Sequence, residues 1–336
     1  MKRKYALIII ILVFVFLLSS CELMVEQEPK GVIRVVSVGI DYNDIAAISK
    51  NLYGTCNDAY QVGQVLKALG EKEGTEVELY YLLSENNDVR ATSDFIDDSY
   101  IEQQSDTAFY YPSQNSLIQV VDEINSKQNS QDMLFIFLAG HGAPNVEVIS
   151  EYEITYSEDL SDDYNFVIPK NINQDDDEIS KYFYKLSEYL SLVETIAGKK
   201  ILINDFCFSG AMISDDYISL DLTTYYYANH PSTADLLFSS TSEKVLDDIY
   251  ILSAAQSYQE AMDGSLHGSF TQALLDGLGW DEDNQVLKII PVLSESINSS
   301  KIYLSTVANY TKRNDNYNYQ TPKMTTSSND IILFEF

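Results

Sequence analysis

Met133-Leu134-Phe135-Ile136-Phe137-Leu138-Ala139-Gly140-His141-Gly142 decides the reading of this chain. The run from Met133 to Leu138 is apolar on both faces, as a strand covered by two layers must be, and such strands belong to parallel sheets. Gly140-His141-Gly142 then sets a titratable ring at the strand's carboxyl end, where parallel sheets gather their function. A second stretch has the same build: the strand Lys200 to Ile203 runs into Asn204-Asp205-Phe206-Cys207-Phe208-Ser209-Gly210 and ends on a thiol.

Outward from these two strands, Val32 to Val38, Val77 to Leu83 and Ile249 to Leu252 are further strand-type runs, and Ile331 to Phe334 is a candidate closing strand. Val62, Val65, Leu66 and Leu69 fall at i, i+3, i+4 and i+7, so Asn57 to Leu69 reads as an amphipathic helix ended by Gly70. Leu117, Val120, Val121 and Ile124 repeat that spacing behind Ser113 or Ser116 as caps. Phe183, Leu186, Leu190 and Val193 mark another helix, and two more lie near Phe270 to Leu278 and Ile297 to Tyr310. Strand and helix in alternation imply an α/β fold: a three-layer α/β/α sandwich around a mainly parallel sheet. Three Asp/Ser/Tyr-rich segments, Ser84 to Pro112, Ala143 to Ile168 and Ala211 to Asp248, read as long loops around a site.

With 51 Asp and Glu against 21 Lys and Arg, the formal charge is −30. No basic patch is left to neutralise phosphates, so nucleic acid is excluded as a partner, and cationic partners or substrates fit better. Lys2, Arg3 and Lys4 precede an apolar run from Tyr5 to Leu18. As a helix that run spans about 21 Å, short of the ~30 Å hydrocarbon core, so it reads as a secretory signal. Leu18-Ser19-Ser20-Cys21 resembles the lipobox of bacterial lipoproteins, in which the Cys is lipidated. The expected organisation is therefore a signal peptide over 1–20, a lipidated Cys21 and tether over 21–31, and one domain over 32–336. The location it implies is an exported bacterial lipoprotein, membrane-anchored in the periplasm or at the cell surface. Cys56 and Cys207 remain as thiols, too few for a disulfide framework.

A thiol of pKa about 8.5 is mostly protonated at neutral pH, and an imidazole beside it can generate the thiolate and later protonate a leaving amine. The N–H of Gly142 with that of Cys207 suits an oxyanion. Against this stand the blander readings of a satisfied polar His and a small buried Cys. Cys56 reads as a packing residue at the first helix, or, being near Asp58, as a partner for Cys207 on oxidation. His230 and His267 have no metal-ligand spacing and read as surface or capping residues. Neither a Gly-x-Ser-x-Gly elbow nor a phosphate-binding Gly loop is present in the sequence.

Several motifs occur in order: Val38-Gly39-Ile40, Leu52-Tyr53-Gly54-Thr55-Cys56-Asn57-Asp58-Ala59, Gly140-His141-Gly142, Val167-Ile168-Pro169 followed by Asp176-Asp177-Glu178, Asp205-Phe206-Cys207-Phe208-Ser209-Gly210, and Gly268-Ser269-Phe270-Thr271-Gln272-Ala273-Leu274. Through them the chain resembles the caspase-like cysteine peptidases, and among these the metacaspases and their bacterial relatives, from about Val35 to its end. The resemblance implies a caspase-like fold and an endopeptidase with His141 and Cys207 as catalytic dyad, acting on protein or peptide substrates without a required cofactor. Caspases that cut after Asp carry Arg two residues before the Gly-Thr pair and Gln two before the nucleophile; Leu52 and Asp205 stand there. Metacaspases place carboxylates in that pocket, and Asp58 and Asp205 match their positions, which implies cleavage after Arg or Lys. The blander readings are a helix-dipole role for Asp58 and a structural hydrogen bond for Asp205.

Asp176 and Asp177 match a position where some metacaspases bind activating calcium, and Asp215 and Asp216 are further hard-oxygen candidates; a solvated acidic turn is the alternative. Ala139 stands where metacaspases commonly have Ser, and Phe208 where His or Tyr is frequent. A different class of protein remains open: a catalytically weak surface lipoprotein on the same fold acting as an interaction module, for which Tyr-rich loops such as Tyr225-Tyr226-Tyr227 would also serve. A clostripain-like enzyme would share the basic specificity.

Overall fold

Six strands run parallel: β1 (Ile33–Gly39), β2 (Val77–Leu83), β3 (Thr107–Tyr110), β4 (Met133–Ala139), β5 (Lys199–Asp205) and β6 (Ile249–Ser253). Their spatial order is β6-β5-β4-β1-β2-β3, and two-residue antiparallel strands border the sheet, Lys323–Met324 beside β6 and Gln103–Gln104 beside β3. The structure is a computed structural model that describes residues 31–43, 45–84, 103–104, 107–144, 147–150, 153–155, 164–213, 248–256, 259–288, 301–315, 320–325 and 331–335. Residues 31–336 form one compact unit. Cys21 and the leader, Asp215, Asp216, His230 and the Tyr225–Tyr227 run lie outside the described residues.

The helices are α1 (Thr55–Glu73), α2 (Gln114–Lys127), α3 (Leu186–Glu194), α4 (Ser269–Leu278) and α5 (Leu304–Asn314). The chain builds outward from β1 to β3, then returns to the other side of β1 with β4 and continues to β6. Because βαβ crossovers are right-handed, reversing the building direction moves the covering helices to the opposite face. Accordingly α1, α4 and α5 bury Val62, Leu66, Phe270, Leu274 and Val307 on one face, while α2 and α3 bury Leu117, Val121, Tyr189 and Val193 on the other. β4 serves both layers with period two: Phe135, Phe137 and Ala139 face α1 and α4, and Leu134, Ile136 and Leu138 face α2 and α3. Each such fully buried Leu or Phe contributes about 2–3 kcal/mol relative to exposure.

The α/β architecture and its mainly parallel sheet are as the alternation of elements implies. Ser113 caps α2, accepting the Ser116 N–H at 3.1 Å. Several boundaries differ. α1 continues to Glu73 and ends at Gly74, which sits at φ 76°; Gly70 is inside the helix, packed so closely on Val77 that a Cβ would collide with it. A glycine that looks like a stop is here a packing glycine. Phe183 belongs to a short strand, Phe183–Lys185, and α3 begins after it. That strand pairs with Tyr164–Val167, which in turn pairs with Gly142–Pro144, so the second expected loop contains a ribbon; the first contains β3. Four-residue strands carry too little periodicity to separate from loop. Ile332–Glu335 does not close the sheet but pairs with Lys301–Tyr303 in a separate ribbon, so α5 starts only at Leu304.

At the amino end of the strands, Asp132 accepts Arg34 Nη1 at 2.8 Å, the Val32 N–H at 2.8 Å and the Asn129 N–H at 3.0 Å. Burial acts against the charge, but these bonds hold the Asp132 carboxyl below the usual carboxylate range. Asp132→Ala is expected to cost about 3 kcal/mol, because it removes the buried partner of the Arg34 guanidinium, leaving it only Glu78, and frees the Val32 and Asn129 N–H groups; a urea titration with a lowered midpoint and unchanged slope is the check.

Candidate active site

Gly39 pairs with Ala139, and Ala139 with Asp205, so β1, β4 and β5 end on one row. His141 and Cys207 each stand two residues beyond that row on neighbouring strands. Adjacent strands lie about 4.8 Å apart, so the two groups leave neighbouring strand ends, and both line one cleft. The approach is tight: a Cβ on Gly142 would run into the Cys207 carbonyl. Phe206 packs on Phe166 (ring centroids 5.1 Å apart) and Phe208 on Tyr164 (6.1 Å), which anchors the backbone on both sides of the thiol. Phe208 reaches its place with φ 62°, in the left-handed region that costs a non-glycine residue on the order of 1–2 kcal/mol. The turn it makes starts the short helix Ser209–Met212.

His141 Nε2 lies 2.8 Å from the Lys50 carbonyl. A carbonyl only accepts, so Nε2 carries the proton and Nδ1 is the basic nitrogen of the neutral ring. Burial lowers the His141 pKa, partly offset by that bond. Cys207 Sγ accepts the Ala261 N–H at 3.3 Å. Burial pushes the thiol up to about 11, only partly opposed by the Ala261 N–H. The resting pair is therefore thiol and imidazole, not thiolate and imidazolium.

Both groups line a cleft of about 420 Å³ together with Leu52, Asp58, Asp205, Asp263 and Gly268. Asp58 projects from the first turn of α1 and Asp205 from the end of β5, and Gly268 separates them: a Cβ there would lie 2.7 Å from Asp205 Oδ2 and 3.3 Å from Asp58 Oδ2. Asp205 accepts the Thr271 hydroxyl at 2.5 Å, and its pKa is raised well above the carboxylate range by burial and by the nearby Asp58. Asp58 accepts the Gly268 N–H at 3.0 Å.

His267 overturns the expectation of a surface or capping residue. It is buried, with Nδ1 2.6 Å from Asp58 Oδ1 and Nε2 2.6 Å from Glu282 Oε2. Burial opposes its charge, but the two carboxylates raise its pKa to about 9, so it is an imidazolium at neutral pH. Burial raises Asp58 to about 6, against the bonds from His267 and Gly268, so Asp58 is an anion there. Its partners are distant in sequence, and no spacing pattern announces them. Asp263 was also missed; it accepts the N–H groups of Tyr53 at 2.9 Å and Gly54 at 3.2 Å and ties the cleft's two rims together.

Cys56 and Cys207 have different partners. The Cys56 Sγ is 3.3 Å from the Gly39 carbonyl, while Cys207 faces Ala261, and both thiols are free. The Asp176 carboxylate accepts from Gln174 at 2.9 Å. Among the described residues no group of three or more His, Cys, Asp or Glu is arranged to hold a metal ion.

A family model described as the caspase domain matches residues 35–328. Among solved structures, a protein from Geobacter sulfurreducens aligns with a TM-score of 0.50 at 13% identity, over 88% of this chain and 92% of that one. Caspase-1 from Spodoptera frugiperda aligns with a TM-score of 0.44 at 12% identity, over 93% of this chain and 94% of its own. No curated protein sequence matches the chain.

Because the folded-state pKa of His267 lies above its ordinary value, the protonated ring stabilises the fold in full below about pH 6.5, and that contribution fades as pH rises through about 9. His267→Ala should cost about 3 kcal/mol at neutral pH by leaving Asp58 and Glu282 unpaired. Denaturant titrations between pH 6 and 9.5 are the measurement, and the variant should lose most of the decline seen in the parent chain.

Proposed function

Because the chain belongs to the caspase-domain family, we propose that it is a cysteine endopeptidase that works with His141 and Cys207 and cuts after Arg or Lys. The observation that carries this reading is a single cleft lined by the imidazole, the thiol and two buried carboxylates. His141 Nδ1 takes the Cys207 proton as sulfur attacks the scissile carbonyl carbon, and the oxyanion that forms is held by the N–H groups of Gly142 and Cys207. His141 and Val167 form a hydrogen-bonded pair of the ribbon through the Val167 N–H at 2.9 Å, so the Gly142 N–H turns away from that neighbour. The C–N bond then breaks, and His141 gives its proton to the departing amine. Water, with His141 again as base, hydrolyses the thioester and restores the thiol.

The choice of basic side chains rests on charge. Asp58 is already neutralised by His267, whereas Asp205 takes only a neutral hydroxyl bond from Thr271 among the described residues. A guanidinium or ammonium entering beside Asp205 supplies the missing counter-charge and favours its ionised form. An Asp side chain beside Asp205 would find no counter-charge, since the His267 charge is already paired with Asp58.

The same reading extends to the amino terminus: the chain is an exported bacterial lipoprotein held at a membrane through lipid on Cys21. The support is Leu18-Ser19-Ser20-Cys21 after a short apolar run. Partition of the expressed chain into detergent, lost in Cys21→Ala, is the expected result.

Cleavage of fluorogenic Arg, Lys and Asp peptides tests the enzymology, with and without calcium. Arg and Lys peptides should be cut, and Cys207→Ala should lower kcat by roughly 1,000-fold or more. Asp205→Asn should lower kcat/KM on Arg and Lys peptides by roughly 100-fold. Hydrolysis after Asp alone overturns the pocket assignment, and no Cys207-dependent hydrolysis at all favours the non-catalytic interaction protein.

Alkylation reads the resting state of the thiol separately. Since burial holds it up to about 11, iodoacetamide modification of Cys207 in the substrate-free chain should still be rising past pH 9. A plateau below pH 7, followed by peptide mass spectrometry, would instead mean a preformed thiolate.

A further inference from the structure

We propose that Tyr42 is the positioning residue for His141, holding both its backbone and its ring. The catalytic consequence rests on the peptidase reading, whereas the geometry does not. Tyr42 stands three residues beyond the end of β1, in the crevice between β1 and β4 where the strand order reverses. Its φ is 64°, in the left-handed region that bulky residues rarely occupy, and its side chain is fully buried. Residues held this way persist where the surroundings over-determine them.

The surroundings here are His141 and Val167. The Tyr42 hydroxyl accepts the His141 N–H at 2.7 Å and donates to the Val167 carbonyl at 2.7 Å. In an ordinary antiparallel pair those two groups would bond each other directly, as the Val167 N–H and His141 carbonyl do at 2.9 Å. One half of the pair is thus opened by an inserted hydroxyl, which sets His141 back from the ribbon. Space for it exists because residue 140 is glycine: a Cβ there would lie 2.5 Å from Tyr42 Oη. The phenol ring lies 4.6 Å from the imidazole at an interplanar angle of 33°. Ring and backbone together leave His141 aimed at the Lys50 carbonyl, and so with Nδ1 as its basic nitrogen. Burial raises the phenol well above its ordinary range, so the hydroxyl keeps its proton at working pH.

Without the hydroxyl, the His141 N–H and the Val167 carbonyl close on each other, and the imidazole is drawn away from Lys50. Tyr42→Phe in the full chain is the test, with His141 ring nitrogens followed by NMR and peptide cleavage measured alongside. The expected outcome is a kcat lowered by roughly 10-fold to 100-fold with KM within about twofold, as for a misplaced catalytic group. The His141 ring should pass from a single Nε2–H tautomer to a mixture, and its titration midpoint should move up toward the ordinary histidine value. Tyr189→Phe, which removes a buried hydroxyl with no hydrogen-bond partner among the described residues, should leave kcat and the ring unchanged.

A Tyr42→Phe variant that loses thermal stability but keeps the parent's tautomer, midpoint and kcat overturns the proposal. If the parent chain cuts nothing, the peptidase reading fails while the ring spectra still decide the positioning. Should the variant not fold, the parent's His141 amide decides: slow hydrogen exchange supports the buried bond to Tyr42, and exchange at open-chain rates refutes it.

Discussion

The common row on which β1, β4 and β5 end is the constraint on which the site depends, because it sets Gly39 beside Ala139 and Ala139 beside Asp205, and so brings Tyr42, His141 and Cys207 to one edge of the sheet. In a sheet with one wet face, the hydrophobic pattern enforces register. Here both faces are covered and β4 is apolar on each, so the pattern alone is nearly indifferent to a slip. What distinguishes the correct row is polar and lies at the other end of the strands. Asp132 accepts from Arg34 on β1 and from the Val32 N–H, and this tie sets β1 against β4. A slip would break a buried ion pair at a cost of about 3–5 kcal/mol. The far end of the sheet thus fixes β1 against β4, and with them Tyr42 against His141 at the near end.

Burying acids is the second constraint, and the two pocket carboxylates are treated differently. Asp58 has a complete environment: an imidazolium on one oxygen, a backbone N–H on the other, and Glu282 holding the imidazolium from behind. Asp205 is buried with Asp58 nearby and only the Thr271 hydroxyl to oppose them, so its pKa rises. Such an arrangement is poor for stability in the empty site and becomes favourable once a cation arrives, which is what the proposed role of Asp205 requires.

The sheet, its helices and the strand-end positions of His141 and Cys207 were legible because long, doubly apolar strands and i, i+3, i+4, i+7 spacing are local signals. Short elements were not: β3 and Tyr164–Val167 have four residues each, and their strand character comes from what they pair with. Gly70 shows the same limit in reverse, since a glycine required by Val77 looks in sequence like a helix end. At the site, Asp58 and Asp205 were identified through motif resemblance. His267, Lys50, Asp263 and Tyr42 were not, because each acts through a partner far away in the chain: a carboxylate, the His141 imidazole, two amide groups and an opened strand pair. Local pattern carries no information about such pairings.

These constraints bear together on how the thiol becomes reactive. Burial raises the Cys207 pKa first, and the charges of Glu260 and Asp205 add to it. His267 cannot offset that field, since its charge is already committed to Asp58 and Glu282. Lys50 contributes a carbonyl to His141 and a modest opposing charge. On the proposed reading the substrate's own Arg or Lys leaves that balance at the thiol unchanged: the Asp205 carboxyl, held protonated by burial in the empty site, ionises as the cation pairs with it, so the charge enters as a neutral pair. An acidic side chain in the same place would push the thiol further up. On that reading selectivity and activation have separate causes: the burial of Asp205 without a counter-charge favours a cationic side chain, whereas the Cys207 proton leaves only as sulfur attacks, through His141.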